Sequence, residues 1–317
     1  MNLKLSSTQL SMLLLLCLSL FGCQNADAKG ESVTYKGIVA TYFAADAPVT
    51  ERVVLVFGGS GGGIYTANRM ANTFSKSGVN AMAVAYFGVQ GLPQQLANID
   101  LNYFEKAFEY VVSKKGISRE KIALMGISRG AELALLLGST YQIGPVVAYA
   151  PSSVLWGPCC NDFPSGTVGW QYNEKPLPHA RQLPYQQPNE NEYHGTPQFM
   201  KSLQGQDLSA ATIKVENIPR GIILVSGEDD QLWPSTFMAN QIMDRLHAKQ
   251  YKYPFKHLSY EGAGHVISPG ARSNIQRSTL ANGYVIIMGG SSAANAKAQQ
   301  DSWPQVIEFI SSKQLME

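Results

Sequence analysis

Charge is scarce in this chain. Only 15% of its 317 residues are charged, and 25 basic against 23 acidic side chains leave a formal net charge of +2. No basic run or arm is present that could neutralise a row of phosphates, so nucleic acid is not the expected partner. Cysteine is limited to four residues and histidine to five. Neither falls into a CxxC or HxxxH spacing, so no metal site is expected. There is no internal repeat. What the chain has instead is apolar content, 45% of its residues. That is enough for a large core, in one big α/β domain or two small ones, and disorder is not expected.

The first thirty residues read as an export signal, with Lys4, the apolar run SMLLLLCLSLFGCQN and then polar residues. The run is too short to span a bilayer comfortably. Two cleavage points fit, giving a leader over residues 1–28 and a folded domain over 31–317. Leu20-Phe21-Gly22-Cys23 resembles a lipoprotein box, although Phe21 is bulkier than the small residue usual there; Ala26-Asp27-Ala28 suits ordinary signal peptidase. The lipoprotein reading is preferred, because a cysteine directly after glycine at the end of the apolar run needs a reason. The expectation is an exported protein, either anchored in the outer membrane through lipid on Cys23 or periplasmic. Cys159 and Cys160 remain side by side. Adjacent cysteines bridge only through an eight-membered ring, and the sequence leaves their pairing open.

From Val53 onward short apolar runs alternate with longer amphipathic ones, the pattern of strands crossing over through helices into a parallel sheet. VVLVFGGSGGG, VNAMAVAYFG, KIALMGIS, PVVAYAPSS, GIILVSGEDD and KHLSYEGAGH read as six parallel strands. Helices are expected from about Tyr65 to Ser77, in LANIDLNYFEKAFEYVVSKKG up to Gly116, in GAELALLLGS, and in AANAKAQQDSWPQVIEFI, the last interrupted at Pro304. SVTYKGIVATYFAA adds one or two antiparallel edge strands. The fold class is therefore α/β, a mostly parallel twisted sheet with helices on both faces. After the fourth parallel strand, residues 156–206 read as loop, dense in Pro, Asn, Gly and aromatics, and are expected to form a cap over one end of the sheet.

The stretch Gly126-Ile127-Ser128-Arg129-Gly130 lies between a strand and a helix. Strand, GxSxG, helix is the nucleophile-elbow arrangement, in which glycines admit a turn so tight that the serine projects from it. The alternative is a serine capping a helix. A serine hydroxyl needs a base to take its proton, and the base needs a carboxylate to fix its tautomer. GIILVSGEDDQLWPS offers Glu228, Asp229 and Asp230 just past a strand. Asp230 is chosen because the acid in such sheets stands a few residues past the strand's glycine, here Gly227. Of the histidines, only His265 combines a position after a strand with a glycine turn, Gly262-Ala263-Gly264; His179 and His194 lie in the cap, His247 near a helix end and His257 at the head of a strand. The N–H of Arg129 and that of Gly59 or Ser60 are the expected oxyanion donors.

The loop VVLVFGGSGGGIY also suits a dinucleotide-binding unit. Such a unit wants an acidic residue at the end of the second strand, where Tyr86 and Phe87 stand. Tyr110 and Lys114 have a YxxxK spacing, which is common by chance on a helix. An NAD(P)-dependent dehydrogenase is thus a remote alternative, and no cofactor is expected.

With these residues in hand, the chain resembles the C-terminal catalytic domain of the acyl-CoA thioesterase and bile acid-CoA:amino acid acyltransferase family, within the α/β-hydrolase superfamily and similar to dienelactone hydrolases. The likeness runs from about Val53 to Ile310 and rests on FGGSGGG, AVAYFG, LPQQLANIDLNYFEKAFEYV, GISRGAELAL, GEDDQLWPS, GAGH and GGSSAANAKAQQDSWPQVIEF. By resemblance the triad is Ser128, Asp230 and His265. A serine in place of cysteine as nucleophile implies hydrolysis rather than transfer to amino acids. Two features depart from the family: the stretch ahead of the glycine strand has no room for its N-terminal β-sandwich domain, and an exported enzyme rarely meets acyl-CoA. The reading is a serine hydrolase of small-molecule carboxylic esters or thioesters, with Trp156, Trp170, Tyr172 and Trp233 expected to wall an apolar acyl pocket. The alternatives are an acyltransferase of the same family, and a hydrolase fold kept as a lipid-anchored binding protein.

Overall fold

The computed structural model describes residues 30–160, 163–280 and 283–312. The expected leader, with both candidate cleavage points and Cys23, lies outside the described residues. Eight strands form the main sheet: β1 (Glu31–Tyr35), β2 (Ile38–Phe43), β3 (Val53–Phe57), β4 (Asn80–Ala85), β5 (Ile122–Ile127), β6 (Val146–Tyr149), β7 (Ile222–Gly227) and β8 (Phe255–Tyr260). Their spatial order is β1-β2-β4-β3-β5-β6-β7-β8. β2 alone runs against its neighbours, pairing antiparallel with β1 and β4, while β4 through β8 pair in parallel. The β1–β2 connection is Lys36-Gly37, both at positive φ (47° and 78°), as a two-residue hairpin turn that follows strand twist requires.

Helices α1 (Tyr65–Lys76), α2 (Asn102–Lys115), α3 (Arg129–Tyr141), α4 (Gly195–Gln204), α5 (Ser235–Ala248) and α6 (Ser292–Ser311) complete the fold. All five residues of β3 are fully buried, because both faces of the sheet are covered. Val53, Leu55 and Phe57 belong to the core under α2, α3 and α5. Val54 and Val56 belong to the core under α1 and α6. Five of the parallel strands, β3 to β7, therefore read as nearly continuous apolar runs, while β8 at the sheet edge keeps Lys256 and Ser259 exposed. α2 stops where expected, with Gly116 left-handed at φ 67°.

Two expectations are corrected. α6 continues through Pro304, held on either side by the buried Ala298, Val306 and Ile310. Trp303 adds an edge contact to Phe74 at 4.7 Å and an indole hydrogen bond to Ser77 Oγ at 3.0 Å. The cap is also more than loop. It contains α4, begun by Gly195-Thr196-Pro197, and short strands at Trp170–Tyr172, Lys175–Pro176 and Glu192–Tyr193. The first of these pairs in parallel with Ile99–Asp100, and the last with Val285–Ile287. Cys159 and Cys160 are bonded to each other, and the N–H of Cys159 donates to Leu96 O at 3.0 Å.

Candidate active site

The turn after β5 forces Ser128 to φ 58°, ψ −124°. An L-residue holds such a conformation only where its surroundings enforce it, at a cost of roughly 1–3 kcal/mol. Close packing supplies the enforcement. A Cβ on Gly126 would lie 1.9 Å from the carbonyl oxygen of Gly130, and a Cβ on Gly130 would lie 2.3 Å from that of Gly58. The GxSxG spacing is thus a steric requirement of strand, turn and helix packed this tightly. Ser128 caps α3 with its backbone, its carbonyl accepting from Ala131 N (2.9 Å) and Glu132 N (3.0 Å). Its hydroxyl makes no capping hydrogen bond, so the helix-cap alternative for this side chain is not what the structure shows.

Asp230 follows β7 and His265 follows β8, and the two meet. Asp230 Oδ2 lies 2.9 Å from His265 Nδ1, with both side chains nearly fully buried. Asp230 Oδ2 also accepts from Ser235 Oγ at 2.6 Å, and Oδ1 from the N–H groups of Leu232 (3.0 Å) and Trp233 (3.2 Å). The histidine loop is held by its backbone: His265 N donates to Met288 O (2.9 Å), and Gly264 N to Asn295 Oδ1 (2.8 Å). Ser128 N and the Trp233 indole reach consecutive carbonyls at the end of β6, Tyr149 O at 2.9 Å and Ala150 O at 3.1 Å. Among the described residues the Ser128 hydroxyl makes no hydrogen bond to His265.

The neighbouring acids have other partners. Glu228 accepts from Ser259 Oγ (2.7 Å), and Asp229 accepts from Gly290 N and from Gln231 Nε2, each at 2.9 Å. The other histidines stand elsewhere. His194 pairs with Glu192 at 3.4 Å, His247 packs edge-on against Phe255, and His257 bonds Ser226 Oγ (2.7 Å) and Asn240 Oδ1 (3.1 Å). His179 lies against Gly157.

Beside the elbow, a Cβ on Gly59 would sit 3.3 Å from Ser128 Cβ and 3.8 Å from its Oγ, so the Gly59 backbone approaches the serine closely. Ser60 follows it, half-buried. Sequence reading missed two residues here. Tyr86, at the end of β4, donates its hydroxyl to Gly58 O at 2.7 Å and anchors the glycine loop; burial pushes the phenol's pKa up. Glu132, one turn into α3, is fully buried. Its Oε1 accepts from the Trp170 indole (2.6 Å) and Trp156 N (3.1 Å). Its Oε2 stands 3.2 Å from Arg129 Nη1, a contact of charge without hydrogen-bond geometry. Arg129 Nη2 in turn donates to Trp156 O (3.1 Å) and Gly157 O (2.9 Å). This buried pair ties the cap to the residue after the serine. An acid four positions after the serine, facing Arg129 in a helix whose middle is apolar, was the signal available.

The expected pocket residues divide. Trp156 and Trp233 pack around Phe199 in a small cap core with Val154, Leu203 and Met238. Trp170 is 1% exposed and its indole is committed to Glu132. Tyr172 does not reach the serine. It packs on Tyr141 at the far end of α3, roughly 18 Å along the helix at 1.5 Å per residue. A cavity of about 210 Å³ lies between Ser153, Val154, Ile213, Gln241 and Arg245, lined by none of the predicted site residues.

A sheet wound in this order, with its polar loops gathered at the carboxyl ends of β5, β7 and β8, belongs to the α/β-hydrolase class of folds. Solved structures agree on the fold. An α/β hydrolase enzyme from a Medee basin deep-sea metagenome library has a TM-score of 0.51 at 16% identity, covering 89% of this chain and 98% of that one. A dienelactone hydrolase-like promiscuous phosphotriesterase from metagenomic libraries has a TM-score of 0.51 at 13% identity, covering 89% and 97%. The family described as BAAT / Acyl-CoA thioester hydrolase C terminal matches residues 99–317, and the chain belongs to that family. Residues 28–155 also match a family described as alpha/beta hydrolase of unknown function. Among curated relatives, human acyl-coenzyme A thioesterase 1 is 30% identical over 255 residues, 80% of this chain and 58% of that protein. Human mitochondrial acyl-coenzyme A thioesterase 2 is 29% identical over 255 residues, 80% and 50%. Mouse acyl-coenzyme A amino acid N-acyltransferase 1 is 29% identical over 248 residues, 76% and 55%. The chain thus spans about half the length of the relatives it matches.

Proposed function

We propose that the protein is an exported serine hydrolase that cleaves carboxylic esters or thioesters through an acyl-enzyme on Ser128. The observation carrying this reading is the Asp230–His265 pair, Oδ2 to Nδ1 at 2.9 Å, on the same rim of the sheet as a serine held at positive φ. With Nδ1 facing the carboxylate, Nε2 is the ring nitrogen that takes the serine proton as Oγ attacks the substrate carbonyl. The reading requires the Ser128 hydroxyl to reach Nε2 in the substrate complex, since catalytic contacts of this kind are often long in a free enzyme and tighten when substrate binds. Asp230 fixes the tautomer and stabilises the imidazolium. The N–H groups of Arg129 and of Gly59 or Ser60 receive the oxyanion, each contributing about 3 kcal/mol to the transition state. His265 returns the proton to the leaving group, and water then releases the acid by the reverse sequence. Thioesters are favoured by membership of an acyl-CoA thioester hydrolase family.

The test is reaction of the purified protein with a fluorophosphonate and location of the adduct by mass spectrometry. Modification of Ser128 is expected. Labelling elsewhere, or none, rejects the reading. Acyl transfer is the second reading, favoured by the N-acyltransferase relative. Supplying glycine with the acyl donor separates the two, since transfer gives an N-acylglycine and hydrolysis the free acid. Export is tested by intact mass of the mature protein, where lipid on Cys23 distinguishes the anchored form from a chain beginning at Lys29.

A further inference from the structure

Aromatic rings run in series from the imidazole into the cap. Trp233 stands edge-on to the His265 ring at 6.0 Å. Phe199 stands edge-on to Trp233 at 5.9 Å, and Trp156 edge-on to Phe199 at 4.7 Å. The two indoles are pinned by polar handles at both ends. Trp233 donates from its ring to Ala150 O (3.1 Å) and from its backbone to Asp230 Oδ1 (3.2 Å). Trp156 donates from its ring to Ser152 Oγ (3.0 Å) and from its backbone to Glu132 Oε1 (3.1 Å). Both tryptophans are 3% exposed.

Phe199 differs from both. It has no polar atom to pin it, and it is only partly buried. It sits on α4, one turn past the points where that helix is fixed to the acid's loop. There Gly195 N and Thr196 N donate to Gln231 O (3.0 and 3.2 Å), and Thr196 Oγ1 to Asp230 O (2.7 Å). Its depth is set by that anchor, and its ring is held by packing against the two indoles. Phe199 thus stands between the two fixed indoles, and on the acyl-enzyme reading an acyl chain leaving Ser128 past the imidazole would run against this series.

We propose that Phe199 is the specificity-determining residue of an acyl subsite bounded by Trp156 and Trp233, closing it so that the enzyme takes short unbranched acyl groups. The inference rests on the acyl-enzyme reading above. A chain of several additional methylenes enters only if the ring leaves.

The experiment measures kcat/KM for p-nitrophenyl butyrate and octanoate with the wild-type protein, Phe199→Ala and Phe199→Trp. Phe199→Ala is expected to raise the octanoate-to-butyrate ratio at least about tenfold, in keeping with what a few methylenes contribute in an apolar pocket, and Phe199→Trp to lower it. Should the alanine variant not fold, Phe199→Leu is expected to move the ratio in the same direction as alanine. A wild-type enzyme that is labelled at Ser128 and hydrolyses esters, with variants whose chain-length profile parallels its own, overturns this inference alone. A wild-type protein that neither labels nor turns over overturns the acyl-enzyme reading and this inference with it.

Discussion

The hydroxyl of Ser235 donates to the carboxylate of Asp230 across 2.6 Å, on the same oxygen that faces His265. Ser235 opens α5, so the acid is fastened to the first turn of that helix as well as to the N–H groups of Leu232 and Trp233. Its position therefore does not depend on the histidine. A histidine with one fixed acceptor has one tautomer and one ring orientation.

From this arrangement Asp230→Asn is expected to remain folded and to lose activity on the order of 10⁴-fold in kcat, because an amide can place a donor where the imidazole needs an acceptor. Asp229→Asn, whose carboxylate serves Gly290 N and Gln231 instead, is expected to stay within several-fold of wild type. Steady-state kinetics on the two variants checks the assignment; equal losses reject it.

Ser128→Ala is expected to lose at least about a thousandfold in turnover with its circular dichroism unchanged. Ser128→Gly is expected to be equally inactive but more stable than the alanine variant by about 1 kcal/mol, since glycine accepts φ 58° without strain. Denaturant melts of the pair decide the second point, and equal midpoints contradict it.

Glu132 supplies a pH signature. Burial raises its carboxyl pKa from the ordinary 4.5, against the pull of Arg129, Trp170 and Trp156. A raised carboxyl binds its proton more tightly folded than unfolded, so its contribution to stability is complete below 4.5 and fades as pH climbs through the folded value. The wild-type protein should therefore gain stability relative to Glu132→Gln as pH falls from about 7. Urea unfolding of both at several pH values reads this directly, and a pH-independent difference between them is the failing result.

His257 gives the opposite slope. Burial between β7, β8 and α5 lowers its pKa from 6.5, with Glu228 pulling weakly the other way. A depressed histidine stabilises the fold when neutral, so that contribution is present above 6.5 and lost as pH falls through the folded value. His257→Gln should flatten this acid loss in thermal melts. An unchanged slope removes His257 from the account.

The sheet was legible because five of its strands, β3 to β7, are buried on both faces and so read as nearly unbroken apolar runs, with glycine at or near the end of four of them; β8, at the edge, has exposed Lys256 and Ser259 instead. The elbow was legible because two glycines at fixed spacing have a steric cause. Asp230 was chosen over Asp229 and Glu228 by offset from Gly227 alone, and the three differ only in which distant groups they meet: His265, Gly290 and Ser259. α4 was missed because its sequence is flanked by prolines and polar residues and its stability comes from packing Phe199 and Leu203 against Trp156 and Trp233, contacts without local periodicity. Pro304 was overweighted as a breaker for the same reason, since packing around Trp303 overrides a lost hydrogen bond. Tyr172, expected near the serine, was misplaced because a three-residue strand pairing with Ile99–Asp100 carries it to the opposite end of α3.

The braces of the histidine loop, Met288 O and Asn295 Oδ1, lie downstream of Ser128, Asp230 and His265 in the chain. A nascent or proteolytically shortened chain ending near residue 285 would contain serine, acid and imidazole and still lack what holds the last of them in place. If the proposed acyl-enzyme chemistry holds, completion of the C-terminal segment would act as a checkpoint, and partial products of synthesis or degradation would emerge silent.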